Sequence, residues 1–265
     1  LIKGNIVGCF GLTESEAGSD PSSMKTYFIE KDDHFVINGT KNWITNAPIA
    51  DIFLIWALNN KKEIKLFLIP KNSKGLVTST IKNKTSLKIS PTGQIILDNV
   101  KIPKENILPN TSGWKSVFTC LNHARYGIAW GVMGAARSAW LIAKEYTENR
   151  IMFRKPLASN QLIQKKLAIM QTEIAIGYSA CLHAGRALDN KNDLKIAISM
   201  LKRNNCKKSI QIIREARDML GDNGLLEEYH IMRHLVNLEA VKTYEGAEDI
   251  HALILGKFQT NIDSF

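Results

Sequence analysis

Near Ser112-Gly113 the hydrophobic pattern of this chain changes period, from the alternation of strands to the spacing of helices. Before that point, Lys25–Glu30 and His34–Asn38 read as strands about a turn at Lys31-Asp32-Asp33. Asp51–Ala57 and Ile64–Ile69 flank a polar turn at Asn59-Asn60, Pro70 ends the second run, and Gln94–Leu97 supplies a later strand. Turn residues return about every ten positions, the spacing of a small antiparallel barrel or sandwich. Beyond the switch, Trp114–Thr147 carries a long helical pattern, with Gly127, Gly131, Gly134 and Ala135 along one side. Such small residues suit close helix approach in a bundle. Ser159 or Asn160 offers an N-cap, and the next helix aligns Ile163, Leu167, Met170, Ile174, Cys181 and Leu188. After a polar break at 190–193, Leu194, Ile198, Leu201, Ile212, Ala216 and Met219 form a third stripe. A fourth helix is expected over Leu226–Thr243, with a short terminal helix after it. The expected fold is α+β: a small antiparallel β-barrel or sandwich domain at 1–110, then a four-helix bundle at 111–265.

Composition narrows the function classes. With 45% hydrophobic and 23% charged residues, the chain reads as an ordinary soluble globular protein. The longest uncharged run on the helical side, Tyr126–Ala136, is too short to span a bilayer. Net charge is +10, with much of the surplus between Lys61 and Lys88. That stretch lacks arginine and regular aromatic interleaving, so it reads as lysine-guarded loops and strand edges rather than a nucleic-acid face. A cationic surface does attract anionic small ligands. Cys9, Cys120, Cys181 and Cys206 have neither metal nor Cys-x-x-Cys spacing and read as reduced packing thiols. His123, His183, His230 and His234 have no metal-like spacing either, so no metal is expected. No targeting segment is visible, and the start at Leu1 suggests a piece of a longer polypeptide.

The stretch 242–251, Lys-Thr-Tyr-Glu-Gly-Ala-Glu-Asp-Ile-His, joins two helical patterns. It admits two readings. Gly246 is a left-handed C′ residue with Glu245 a solvated neighbour, or Glu245 is a carboxylate whose pKa is raised for use as a general base.

Wider blocks bear on that choice. Leu220-Gly221-Asp222-Asn223-Gly224, Arg233-His234, Asn237–Val241, Tyr244-Glu245-Gly246 and Asp249-Ile250-His251 resemble the C-terminus of the acyl-CoA dehydrogenases. Gly11-Leu12-Thr13-Glu14 with Gly18-Ser19-Asp20, Trp43-Ile44-Thr45, Asn122–Gly127, and Arg150 with Phe153 and Gln161 match further blocks in order. The likeness runs over essentially the whole chain and, within the family, is greatest to glutaryl-CoA dehydrogenase.

That resemblance implies a site. Glu245 is the catalytic base. Phe10, Leu12, Thr13, Trp43, Ile44 and Thr45 lie against the flavin ring of FAD. Arg150, Phe153, Gln161, Leu220, Gly221, Asp222, Ala247 and Asp249 contact the rest of FAD, partly across a subunit interface. Ser19, Phe118, Leu121, Asn122, Arg125, Tyr244 and Gly246 line the acyl-CoA channel, Arg125 by suiting anionic phosphates. The implied reaction is oxidation and decarboxylation of glutaryl-CoA to crotonyl-CoA, with electrons passed to electron-transferring flavoprotein. The implied assembly is a homotetramer in bacterial cytoplasm or mitochondrial matrix, and the implied architecture includes a helical domain upstream of this chain.

Three departures from the family pattern stand out: Asp222 where glycine is usual, Ala247 where threonine is usual, and Glu248 as a second acid beside Glu245. Two alternatives stay open on sequence. One is a non-decarboxylating dehydrogenase of short or branched acyl-CoA; the other is a non-catalytic relative with a decayed FAD site.

Overall fold

The computed structural model describes residues 1–111, 113–190 and 192–264; Ser112, at the period switch, and Lys191, in the polar break, lie outside them. The chain divides into two compact units, Leu1–Cys120 and Leu121–Phe265.

The first unit is a curled seven-stranded sheet. Its strands are β1 (Gly8–Gly11), β2 (Tyr27–Glu30), β3 (His34–Thr45), β4 (Ile52–Leu58), β5 (Ile64–Pro70), β6 (Leu76–Thr80) and β7 (Thr92–Pro103). β2, β3, β7 and β6 follow one another antiparallel, and β5 pairs antiparallel with β4. The expectation of a wholly antiparallel sheet needs correction, because β4 pairs parallel with both β1 and β2. Lying between β5 and these two, β4 has Phe53, Ile55, Trp56 and Ala57 fully enclosed, as a run buried on both faces requires. Phe28, Phe35 and Phe67 meet edge to face beneath it, with centroids 4.9 to 5.8 Å apart.

β3 is longer than its hydrophobic pattern predicts because two bulges interrupt its register with β7, at Ile37/Gly39 and Lys41/Ile44. Each adds twist and bends the sheet. Gly39 is needed at the first: a Cβ there would lie 2.5 Å from Thr26 Oγ1.

The second unit is helical: α1 (Trp114–Asn149), α2 (Gln161–Asp189), α3 (Lys195–Met219), α4 (Ile231–Thr243) and α5 (Glu248–Thr260). The boundary between units falls inside α1, after Cys120. Asn160 caps α2 as expected, its Oδ1 accepting from the Leu162 N–H at 2.8 Å. Met133, Ala136, Ala139 and Ala143 of α1 pack with Met170, Ile210, Ile213 and Ala216. Of the stripe expected to do this, Ala135 packs against the core, but at Gly127, Gly131 and Gly134 nothing among the described residues lies within 4 Å of where a Cβ would sit. Close approach occurs at Gly177, under Met133, and at Gly185, under Tyr126. α4 starts later than Leu226 because His230 is left-handed, with φ 60°, and a short 3₁₀ turn at Glu227–Tyr229 precedes it. Among the described residues, no helix is long and apolar enough to cross a membrane. Burial pushes the Cys9 thiol up to about 12 and those of Cys181 and Cys206 up to about 11. Cys120 is exposed, unlike the other cysteines and against expectation.

Candidate active site

In the first unit, the second bulge of β3 produces an unusual surface. Trp43 sits there with φ 59°, its N–H held by Asn42 Oδ1 at 3.0 Å, and it remains 58% exposed. A left-handed, exposed tryptophan is conformationally unfavourable. Thr45 is exposed at the end of the same strand and Thr13 is half-buried. Asn42 N–H donates to Thr13 O at 2.9 Å, which ties the two segments together. Phe10 meets Trp56 edge-on, while Leu12 and Ile44 are buried, so these last two support the surface from beneath. Ser19 is exposed beside Asp20, which caps the following turn through Ser22 N–H at 3.0 Å.

Sequence reasoning missed what braces this segment. Lys41, fully buried, donates to Glu14 Oε1 at 2.9 Å and to Leu12 O at 3.0 Å. Glu14 also accepts the N–H groups of Lys25 and Thr26 at 2.7 and 3.0 Å. Burial opposes its charge, but Lys41 and these donors hold its carboxyl below the usual 4.5. The available signal was a lysine inside a strand otherwise turned to the core.

In the second unit, Arg150 directly follows α1 and lines a cavity of about 510 Å³ with Tyr146, Asn149, Asn223 and Tyr229. Asn223 is fixed there by Tyr146 Oη at 2.9 Å. Leu220 is buried, whereas Gly221 and Asp222 are exposed. Phe153 and Arg154 form the tip of a two-stranded hairpin, β8 (Ile151–Met152) with β9 (Lys155–Pro156), at φ 51° and 65°. A two-residue loop of that kind favours Asn-Gly; this one presents a Phe153 ring that is 95% exposed. Gln161 is exposed at the start of α2.

Glu245 follows α4, which closes at Tyr244. The left-handed turn begins at Glu245 itself, with φ 56°, and continues at Gly246, with φ 91°. Gly246 is obligatory, since a Cβ there would lie 2.8 Å from His251 Nε2. The turn is pinned from several helices. Arg125 Nε on α1 donates to Glu245 O at 2.8 Å, and His251 Nε2 on α5 approaches the same oxygen at 3.2 Å. Lys202 Nζ on α3 reaches the carbonyls of Lys242, Tyr244 and Gly246 at 3.1, 2.8 and 2.7 Å. Glu245 Oε2 is buried and has no hydrogen-bond partner among the described residues. Burial raises its pKa above 4.5, while the charges of Arg125 and Lys202 pull the other way. The enclosed Oε2 counts against the solvated-neighbour reading of Glu245, while Gly246 is left-handed as that reading has it.

Two expectations change here. Arg125 is buried and donates to Glu245 O and, at 3.1 Å, to Asn122 Oδ1, so it holds backbone as well as carrying a charge. Phe118, Leu121 and Asn122 stand at i, i+3 and i+4 on α1, Phe118 exposed and the other two half-buried. Glu248 is no second free carboxylate, because Lys242, Lys207 and Arg203 stand 3.0, 3.4 and 3.7 Å from it. Ala247 occupies the N-cap of α5 and supplies no side-chain acceptor; Asp249, exposed, lies in the first turn with Glu248. Ala247→Thr is expected to stabilise the protein by about 1 kcal/mol, read as a higher urea midpoint; an unchanged midpoint would mean that water already satisfies the turn. Sequence reasoning also missed Lys202 and gave His251 no role, although Ile198, Lys202 and Cys206 share one helical face.

Residues 9–100 match the acyl-CoA dehydrogenase middle domain and residues 111–259 the C-terminal domain. The chain belongs to the acyl-CoA dehydrogenase family. This acyl-CoA dehydrogenase chain is 32% identical to the glutaryl-CoA dehydrogenase of Desulfococcus multivorans, over 99% of its own length and 69% of that protein. It is 30% identical to the short-chain-specific acyl-CoA dehydrogenase of Megasphaera elsdenii, over 97% and 68%. The glutaryl-CoA dehydrogenase of Mycobacterium smegmatis in complex with FADH2 superposes with a TM-score of 0.95 at 41% identity, covering 98% of this chain and 67% of that one. The family is one of FAD-dependent oxidoreductases.

Proposed function

We propose that this chain carries the catalytic base and much of the FAD site of a glutaryl-CoA dehydrogenase. The observation that carries the proposal is the Glu245 carboxylate: its Oε2 is buried and has no partner among the described residues, and the backbone around it is pinned by Arg125, Lys202 and His251. A surface acid has water for a partner. An orphaned carboxylate oxygen on a strained turn fits a ligand proton that arrives only with substrate.

Glu245 takes the α proton of the acyl thioester, and its raised pKa narrows the gap to that weak carbon acid. FAD, when bound, supplies the acceptor for the β hydride. The residues fit that group: the exposed Trp43 ring and the Thr13 and Thr45 hydroxyls offer a flat face with polar edges, and Arg150 offers a charged fork for phosphate. The exposed Phe153 and Gln161 suit contact with FAD held by a second subunit of a tetramer. By the family likeness, Ser19 and Phe118 of the first unit and Leu121, Asn122 and Tyr244 of the second are each assigned to acyl-CoA. With glutaryl-CoA, CO₂ leaves after oxidation, and protonated Glu245 returns its proton to give crotonyl-CoA. Electrons then pass to electron-transferring flavoprotein.

The likeness to the Megasphaera elsdenii enzyme favours a second reading, a short-chain dehydrogenase without decarboxylation. Turnover of the full-length protein separates them. Glutaryl-CoA is expected to exceed butyryl-CoA in kcat/KM by at least about tenfold, with crotonyl-CoA and CO₂ in equal amounts; a butyryl-CoA preference selects the short-chain reading.

Asp222 is exposed in the loop assigned to the FAD pyrophosphate. At about 5 Å and an effective dielectric near 20, repulsion reaches roughly 3 kcal/mol before screening, and solvent reduces it well below that. Asp222→Gly is therefore expected to tighten FAD binding by about fivefold, measured by flavin fluorescence titration. Unchanged affinity means that the carboxylate points away from the phosphates.

A further inference from the structure

Lys202 is 1% exposed and lies on the buried face of α3, with Ile198, Asn205 and Cys206, yet no carboxylate is within salt-bridge distance of it among the described residues. Its ammonium carries three protons and no acceptor, and the carbonyls of Lys242, Tyr244 and Gly246 take all three. The carbonyls at the end of α4 have no partners within their own helix and carry the negative end of its dipole. A buried cation from a neighbouring helix thus caps α4 from the side. An apolar residue of similar volume would pack there without the desolvation cost, so packing alone does not account for a lysine at this place.

The pinned carbonyls alternate. Those of Tyr244 and Gly246 turn toward α3, and that of Glu245 turns toward Arg125 and His251. Fixing successive peptide planes in opposite directions fixes φ and ψ of the residue between them, and so the direction of its Cα–Cβ bond. We propose that Lys202 is a positioning residue for Glu245: its three carbonyl bonds impose the left-handed turn that aims the carboxylate and leaves Oε2 unpaired. The proposal rests on the reading of Glu245 as the base.

The test uses the full-length, FAD-loaded protein and the variants Lys202→Met and Lys202→Gln. Flavin content, affinity for crotonyl-CoA from perturbation of the flavin spectrum, and kcat and KM for glutaryl-CoA are measured for each. Lys202→Met is expected to keep flavin content and crotonyl-CoA affinity within about threefold while kcat falls by about a hundredfold, the effect of a base misplaced by about 1 Å. Lys202→Gln, which keeps two donors, should fall between. Adding Glu245→Gln to Lys202→Met should cause no loss beyond that of Glu245→Gln alone, since Lys202 acts through that carboxylate. A kcat within about threefold of wild type, or a loss of flavin and crotonyl-CoA binding in step with kcat, overturns the proposal. If Lys202→Met does not fold, Lys202→Gln is judged by the same criteria. If neither folds while Glu245→Gln does, Lys202 is a structural residue and the proposal fails. Full turnover in Glu245→Gln would instead remove the reading of the base, whatever Lys202 does.

Discussion

Glu245→Gln is expected to lower turnover of glutaryl-CoA by about a thousandfold or more, the range for loss of a general base, while leaving the fold at least as stable. The side chains differ little in size, but the amide cannot take the α proton. Stability follows from the direction of the pKa shift. Burial raises the folded pKa of Glu245 above 4.5. Such a group contributes stability fully below the unfolded value, and that contribution is lost as pH rises through the folded value. At neutral pH the buried charge is therefore a burden, and glutamine removes it. The unfolding midpoint of Glu245→Gln should match or exceed that of wild type at pH 7 and converge with it below about 4.5. A variant that loses turnover only because it loses stability would show the opposite order at pH 7.

Lys41→Met carries the largest expected cost to the fold. Breaking a buried ion pair from one side costs about 3–5 kcal/mol, because the remaining charge stays buried. Here that charge is Glu14, with the Lys25 and Thr26 N–H groups left as its donors. The pH dependence has a definite sign. In wild type the folded pKa of Glu14 lies below 4.5, so its contribution is present above that value and lost as pH falls through the folded pKa. Without Lys41 the carboxyl protonates more readily. The gap between variant and wild type should thus be widest at neutral pH and shrink near about pH 4, and Glu14→Gln added to Lys41→Met should recover part of it. A gap constant across that range, read by urea unfolding, would show that packing rather than the ion pair is lost. Weaker FAD binding should accompany the change, since Lys41 also holds the Leu12 carbonyl beside Thr13.

The sequence patterns located most elements because burial follows period: Phe53 and Ile55 of β4, or Met170 and Ile174 of α2, are apolar where a face must be dry. Irregular backbone was hidden. The Lys41/Ile44 bulge leaves Trp43 exposed, and nothing in the order Lys-Asn-Trp-Ile announces a register shift. Partners across helices were hidden as well. Helical spacing assigns a residue to a face but does not say what the facing helix presents. Hence Gly127, Gly131 and Gly134 read as a contact stripe and stand open, while Gly177 and Gly185 make the close contacts. Arg125 was assigned to the acyl-CoA channel by the family resemblance, and its burial and its bond to the Glu245 carbonyl are visible only in the folded chain. Glu245 was legible through the block in which it stands. The three side chains that bond the carbonyls of its turn come from positions 125, 202 and 251, and only the folded chain brings them together.

The most direct measurement is exchange of the α protons of glutaryl-CoA with solvent. Full-length protein loaded with FAD is mixed anaerobically with glutaryl-CoA in D₂O, and deuterium at the α carbon is followed by mass spectrometry. Wild type is predicted to incorporate deuterium, and Glu245→Gln to incorporate none while binding crotonyl-CoA as wild type does. Equal incorporation by the two proteins would place the base elsewhere.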